Sequence, residues 1–263
     1  MATAFGETGG KTLSRTVLVT GATSGFGDAI ARRFVREGWN AVITGRRRDR
    51  LEALAAGLGG PSRVLPLCFD IRDEDATREA IATLPAGFRG IDTLVNNAGL
   101  ALGTGPAQVS DLAQWKTMID TNISGLVTIT RFLLDTLIER RGLIVNLASI
   151  ASNWPYPGSN VYGGTKAFAK QFSLGLRSDL SAKGVRVTSV EPGISETEFT
   201  LVRTGGDRAA HDRLYGETNP LQPEDIAETV WWIASLPAHV NVNSIEIMPV
   251  TQSWGPFHIQ RES

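Results

Sequence analysis

The chain has 263 residues, 42% of them hydrophobic and 20% charged, with a formal net charge of −1. It is long enough to bury about three quarters of its unfolded surface without staples, and its near-neutral charge argues against a polybasic binder of nucleic acid or membrane. The single cysteine, Cys68, excludes an intrachain disulfide and suits a reducing cytoplasm. It lies in the apolar run LPLCF and reads as a core residue.

Residues 1–14 lack the apolar stretch of a signal peptide and read as a disordered tail. GETGGKT within it tempts a phosphate-loop reading. Phe5 stands where the first glycine of that loop belongs, and no strand precedes it. No apolar run approaches the length of a membrane span.

From residue 15 onward, short β-branched runs alternate with longer helical patterns. Strands are expected at 16–20, 41–44, 64–69, 93–96, 143–148, 186–191 and 244–247, several of them apolar throughout, as strands buried on both faces should be. Helices are expected near 27–37, 50–58, 73–83, 111–136, 161–182 and 223–235. Asp73 and Ser110 suit N-caps, Gly38 and Gly184 suit helix stops, and Pro223 suits a first helical position. The alternation predicts an α/β fold of one domain over residues 15–250, a doubly wound seven-stranded parallel sheet flanked by helices. Residues 194–220 break the pattern and read as an insertion or lid, and 251–263 form a C-terminal tail.

The first strand runs into Thr20-Gly21-Ala22-Thr23-Ser24-Gly25-Phe26-Gly27. Glycines in such a turn let the backbone approach a pyrophosphate, and the helix that follows turns its N–H groups toward it. The spacing is G-x-x-x-G-x-G rather than the usual dinucleotide fingerprint. After the second strand an NAD-selective site places an acid; here stand Arg46 and Arg47, whose forks match a ribose phosphate and favour NADP(H). Arg46 follows the strand more closely. The bland alternative is a solvated basic turn. Asp70-Ile71 after the third strand suits the adenine amino group, and Asn97-Ala98-Gly99 after the fourth lets adenosine and ribose lie near the backbone. Either pair also serves as ordinary turn chemistry.

Ser149 ends the fifth strand. Tyr162 follows thirteen residues later and Lys166 four after that, on one face of a helix. A tyrosine hydroxyl titrates near 10, and a neighbouring ammonium favours its phenolate, which suits proton transfer near neutrality. Ser149 can bond the carbonyl or alcohol oxygen while Tyr162 passes the proton. An isolated Y-x-x-x-K is commonly a surface pair; here it follows a glycine loop and a serine strand in order.

These pieces make the sequence similar to the classical short-chain dehydrogenase/reductase family over residues 15–250. The resemblance rests on TGATSGFG, NNAG, the N-I-S-G at Asn122, Ser149, YGGTK at 162–166 and EPG at 191–193. It implies a tetrad of Asn122, Ser149, Tyr162 and Lys166, in which Asn122 holds a water that relays protons to Lys166. It further implies that Pro192, Gly193, Ile194 and Thr197 meet the nicotinamide carboxamide. NNAGLALG, NWPYPGSNVYGGTKAF, WWIASLPAHVN and MPVTQS resemble one branch in particular. Its members are NADP-dependent 3-hydroxy acid dehydrogenases acting on serine, allo-threonine and 3-hydroxypropionate, malonic semialdehyde reductases, and sulfoacetaldehyde reductases.

Substrates of that branch carry a fixed anion, which a buried site must pair with a cation or meet with several donors. Arg203, Arg208, His211 and Arg213 stand in the lid, Arg203 nearest the Pro-Gly turn, either as an anion clamp or as solvated charges. Trp154 and Tyr156 either wall a small pocket or merely pack. The three histidines have no metal-ligand spacing, so no catalytic metal is expected. The resemblance implies a homotetramer, with the apolar tail 254–259 against a neighbouring subunit. A nucleotide-sensing protein without catalysis is the alternative of a different class; an intact Ser149, Tyr162 and Lys166 speaks against it.

Overall fold

A computed structural model describes residues 14–216 and 218–253. The expected alternation resolves into β1 (Thr16–Val19), α1 (Gly25–Arg36), β2 (Asn40–Gly45), α2 (Arg48–Gly57), β3 (Val64–Cys68), α3 (Glu74–Ala82) and β4 (Ile91–Asn96). There follow α4 (Leu112–Ile119), α5 (Leu126–Glu139), β5 (Leu143–Leu147), α6 (Asn160–Leu180) and β6 (Arg186–Pro192). The last elements are α7 (Phe199–Arg203), α8 (Arg208–Tyr215), α9 (Pro223–Ser235) and β7 (Ser244–Ile247).

All seven strands pair in parallel, in the order β3-β2-β1-β4-β5-β6-β7. The order reverses beside β1, so the crevice past the C-terminal ends of β1 and β4 is where a doubly wound sheet takes a ligand. Alternation along β1 shows why its run is apolar throughout. Val17 and Val19 pack with Ile30, Phe34 and Val230 under α1 and α9, while Leu18 packs with Ile129, Leu133 and Leu137 under α5. The fold is a single-domain Rossmann-type sandwich of helices about a parallel sheet.

Local signals hold at several ends. Asp73 caps α3 by accepting from the Ala76 N–H, Pro223 opens α9 within a Gln222–Asp225 capping box, and Gly38 and Gly184 follow their helices with positive φ. Three expectations are corrected. Asp111 rather than Ser110 caps α4, accepting from the Ala113 N–H. The single helix expected over 111–136 is two helices joined by a π-helical turn, Asp120–Gly125. At the end of this turn a Cβ on Gly125 would stand 3.0 Å from the Ile71 carbonyl oxygen, so glycine lets the helix pass this closely over the turn after β3. Cys68 is half-buried rather than core, because β3 is an edge strand and its outer residues are incompletely covered.

The 194–220 segment, expected as an insertion or lid, holds α7 and α8. Tyr215 Oη donates to the Ser195 carbonyl at 2.8 Å and lies 2.7 Å from Thr200 Oγ1, which ties the two helices to the end of β6. The expectations for residues 1–13 and for the tail 254–263 lie outside the described residues.

Candidate active site

A cleft of about 1330 Å³ runs along the C-terminal ends of the strands, under α7 and α8. It is larger than a small substrate requires, and has room for a dinucleotide beside one.

At one end lies the loop between β1 and α1. Gly21 has φ +68°, and a Cβ there would stand 2.9 Å from the Ala98 Cα, so the two loops approach as only glycine allows. Asn97 stitches them together, donating from Nδ2 to the carbonyls of Thr20 and Gly21 at 2.9 and 3.1 Å. Ser24 stands at the N-cap of α1 without a side-chain capping bond. No side chain occupies the first-turn N–H groups, and Ser24, Gly25 and Phe26 line the cleft, an arrangement that suits phosphate. Thr23, Ser24, Gly25, Phe26, Ala98 and Gly99 all line this end. Gly27 does not; it is buried beneath the loop, where a Cβ would meet the Gly21 carbonyl oxygen.

Arg46, Arg47, Asp70 and Ile71 form the outer rim. Arg46 is 59% exposed, 3.9 Å from Asp70. Arg47 is more tightly held: its guanidinium donates to Thr23 Oγ1 at 2.6 Å and to Ser24 Oγ at 2.9 Å. Arg72 bonds the Asp70 carboxylate at 2.6 Å and holds its carboxyl below the ordinary range. These residues fit an adenosine phosphate: glycines where a Cβ would fill the cradle, exposed helix N–H groups, and two guanidinium groups at the rim.

At the other end are Ser149, Tyr162 and Lys166. Ser149 leaves β5 as the cap of a single 3₁₀ turn, Ile150–Ser152, its Oγ accepting from the Ala151 N–H at 3.1 Å. Tyr162 and Lys166 are each 8% exposed. Lys166 Nζ donates to the Leu147 carbonyl at 2.8 Å and lies 5.9 Å from the Tyr162 ring centroid. Burial pushes the Tyr162 phenol up, aided by Tyr156, while the hydrogen bond from Ser149 and the Arg203 charge pull it down. Burial pulls the Lys166 ammonium down to about 8. In this desolvated site burial acts on both groups, against the phenolate and against the ammonium.

Asn122 is buried behind Lys166 on the π-helical turn, outside the cleft lining. Its amide is clamped to Leu100, accepting from that N–H and donating to that carbonyl, both at 2.9 Å, and it donates to Thr165 Oγ1 at 3.0 Å. A side chain at Gly99 would wedge between Asn122 Oδ1 and Lys166 Nζ, each 3.3 Å from the position of its Cβ.

Trp154, Tyr156, Pro192, Gly193, Ile194, Thr197 and Arg203 complete the walls. Of the lid cations, only Arg203 faces the cleft. It donates to the Tyr156 hydroxyl at 2.9 Å, to Gly158 O at 3.1 Å and to Gly103 O at 3.2 Å, and sits 5.9 Å from the Tyr162 ring centroid. On α8 it is Ala210 and Leu214 that turn inward, leaving Arg208, His211 and Arg213 outside the lining.

Residues 15–204 match the model of the short chain dehydrogenase family. The chain belongs to the short-chain dehydrogenase family. It is 62% identical over 251 residues to a serine 3-dehydrogenase of Agrobacterium fabrum, covering 95% of this chain and all of the relative. It is 58% identical over 252 residues to sulfoacetaldehyde reductase 2 of Chromohalobacter salexigens, again with 95% and full coverage. Among solved structures, it overlays on the closed form of a serine dehydrogenase complexed with NADP+ with a TM-score of 0.92, at 50% identity, covering 94% of this chain and all of that one.

In this short-chain dehydrogenase four contacts escaped the reading of the sequence. Glu198 pairs with Arg47 at 3.0 Å and with Arg50 at 2.9 Å, joining the lid to the rim. Phe199 packs against the Tyr162 ring at 5.5 Å between centroids. Gln252 accepts from the Ile194 N–H through Oε1 at 2.7 Å. None has a local motif; each joins residues far apart in sequence. Among the described residues, no group of three or more His, Cys, Asp or Glu could hold a metal, and no helix is long and apolar enough to cross a membrane.

Proposed function

We propose that this enzyme interconverts a short 3-hydroxy acid (serine, allo-threonine or 3-hydroxypropionate) and its carbonyl form with NADP(H), including the reduction of malonic semialdehyde. The observation that carries the reading is Arg203 beside Tyr162. A guanidinium has five N–H donors, and three bonds are accounted for on Arg203. The guanidinium carbon lies 5.9 Å from the Tyr162 ring centroid, within reach of a carboxylate one or two carbons from the carbonyl.

NADP(H) suits the rim arginines, and a similar serine dehydrogenase structure holds NADP+. The Gly21–Gly27 loop and the α1 N-terminus would hold its pyrophosphate, and Arg46 and Arg47 its 2′-phosphate. Asp70, Ile71, Asn97, Ala98 and Gly99 would hold the adenosine side, and Pro192, Gly193, Ile194 and Thr197 the carboxamide. When bound, NADP(H) gives or takes a hydride at the substrate carbon.

The chain's own residues manage the proton and the oxygen. Ser149 Oγ bonds the substrate oxygen. Tyr162, held protonated by burial, donates to that oxygen in reduction and accepts from the alcohol in oxidation. Lys166 supplies a positive charge beside the tyrosinate that results. Asn122 anchors the segment behind Lys166 by its bonds to Leu100 and Thr165. The 194–220 lid shuts water out and brings Arg203, bonded to Tyr156, to the substrate, with Trp154 as a further part of the wall.

A sulfoacetaldehyde reductase is the second reading, favoured by the 58% identical relative of that name and by the same arginine, since a sulfonate presents similar oxygens. The placing of Ser149, Tyr162 and Lys166 together in one cleft favours catalysis over a sensor. We also infer a cytoplasmic homotetramer. Val109, Leu112 and Ile119 near and on α4 are 71%, 60% and 41% exposed, an apolar surface suited to a neighbouring subunit.

The deciding experiment is an NADPH assay with malonic semialdehyde, sulfoacetaldehyde and neutral aldehydes, mirrored by serine, allo-threonine, 3-hydroxypropionate and isethionate in oxidation. Carboxylate substrates are expected to lead. Faster turnover of neutral aldehydes would remove the anion-clamp reading.

A further inference from the structure

Strands β6 and β7 place Glu191 directly opposite Glu246. Like charges opposite one another in neighbouring strands repel, and the Glu191 side chain is 1% exposed, so water screens little of that repulsion. Strand pairing alone gives no reason for two acids here. Donors surround the pair instead. Ser189 and Ser244 donate to Glu191 Oε1 at 3.0 and 2.5 Å, and Lys170 donates to Oε2 at 3.0 Å. Burial would push the Glu191 carboxyl up; bonds from Ser244, Lys170 and Asn153 outweigh it and hold the group below the usual carboxylate range.

The other donors come from the loop that carries Ser149 toward α6. Asn153 Nδ2 donates to Glu191 Oε2 at 2.7 Å and to Glu246 Oε2 at 3.0 Å, while its Oδ1 accepts from Lys170 at 2.9 Å. Trp154 Nε1 donates to Glu246 Oε2 at 2.9 Å. The indole is nevertheless 45% exposed and lines the cleft. A bond to a charged acceptor therefore helps to fix its place.

We propose that Glu191 and Glu246 are positioning residues for substrate selection: with Lys170 they clamp Asn153 and Trp154, and so set the pocket wall that a small carbonyl substrate meets. The inference rests on the reading of Trp154 as part of the substrate site. The clamp ends at residues 153–154. Ser149 is held by its own loop and Lys166 by the Leu147 carbonyl, so proton transfer has independent supports. Loss of the clamp thus removes substrate binding and leaves the chemical step.

The test uses the full chain with NADPH and malonic semialdehyde, comparing Glu246→Ala, Asn153→Ala and Trp154→Ala. Each is expected to raise the aldehyde KM roughly tenfold, with kcat and the NADPH KM within about twofold, the pattern of lost ground-state binding. Glu246→Ala also relieves the facing charges, so its Tm should hold or rise, which loss of a merely structural bond would not produce. The Glu246→Ala/Asn153→Ala double variant should be no worse than either single one, because both break one network. If Trp154→Ala raises KM and the other two do not, the clamp is wrong and the pocket reading stands. If none raises KM, both fall. If kcat and the NADPH KM deteriorate together, the acids serve the fold in general and the proposal is overturned.

Discussion

Glu198, just before α7, and Arg47, just after β2, are joined by an ion pair at 3.0 Å, across 151 residues of sequence. Arg50 reaches the same carboxylate. The three side chains are 40–44% exposed, so each pair contributes at most about 1 kcal/mol. Burial and the two arginines act in opposite directions on Glu198, and the arginines hold it below its ordinary range. Glu198→Gln should loosen the lid without unfolding the protein. Trypsin should then cut after Arg203, Arg208 or Arg213 a few times faster at low salt. In about 1 M salt, where the screening length is about 3 Å, wild type and variant should converge. Equal digestion at low salt would show that the latch carries no weight.

The same rim should choose the cofactor. Arg46→Ala and Arg47→Ala should each raise the NADPH KM by about ten- to a hundredfold, the range for one charge-assisted contact. The NADH KM should change little. Arg47 is the more informative position, since its bonds to Thr23 and Ser24 already orient it toward the glycine loop. A wild-type preference for NADH would refute the assignment of both residues.

The strands were legible in the sequence because their burial on both faces writes a continuous apolar run, as in Val17, Leu18 and Val19. The glycine loop and the Ser149, Tyr162 and Lys166 set were legible because they sit at fixed offsets from those strands. What could not be read depends on residues meeting across the fold. The π-helical turn looks like ordinary helix until Gly125 is seen against Ile71. The Glu198 latch and the Glu191–Glu246 pair have no local signature, because each joins residues far apart in sequence. Cys68 misled for the same reason: its apolar neighbours in sequence do not reveal that β3 is an edge.

Burial of Tyr162 and Lys166 sets opposite pH limbs for the two directions. Lys166 is pulled down to about 8, so its ammonium is present below that pH and lost above it. Reduction needs a protonated Tyr162, which burial supplies, and the adjacent positive charge. Its kcat/KM should fall above pH 8. Oxidation needs the phenol to give up its proton and should rise with pH over the same interval. Lys166→Arg, which stays charged, should remove the limb near 8 from the reductive profile while lowering the rate. For stability the sign is also set. Between about 8 and 10.5 the unfolded chain binds the lysine proton and the folded chain does not, so Lys166 makes stability rise with pH there. Matching reductive limbs in wild type and Lys166→Arg would exclude Lys166 as their origin.

Tyr162→Phe isolates the hydroxyl. The ring would keep its packing against Phe199, and Ser149 would lose the hydroxyl it bonds. Turnover should fall by about 10²–10⁴, the range for one positioned general acid. NADPH binding, followed by quenching of the protein's tryptophan fluorescence, should remain. A variant with full turnover would mean that the proton takes another route.

Arg203 separates substrate recognition from chemistry. Its guanidinium is held by Tyr156 and by the carbonyls of Gly103 and Gly158, so it is fixed before a substrate arrives and little ordering entropy opposes binding. Arg203→Met keeps much of the apolar stem and removes the charge. The KM for malonic semialdehyde should rise by about ten- to a hundredfold, while a neutral aldehyde of similar size should lose no more than about twofold. Arg203→Lys keeps the charge but not the fork, and should fall between the two for a carboxylate. The Arg203 charge also pulls down on Tyr162, so Arg203→Met should slow oxidation of neutral alcohols at moderate pH while sparing reduction of the matching aldehydes. Uniform losses across charged and neutral substrates in both directions would instead assign Arg203 to closing the lid.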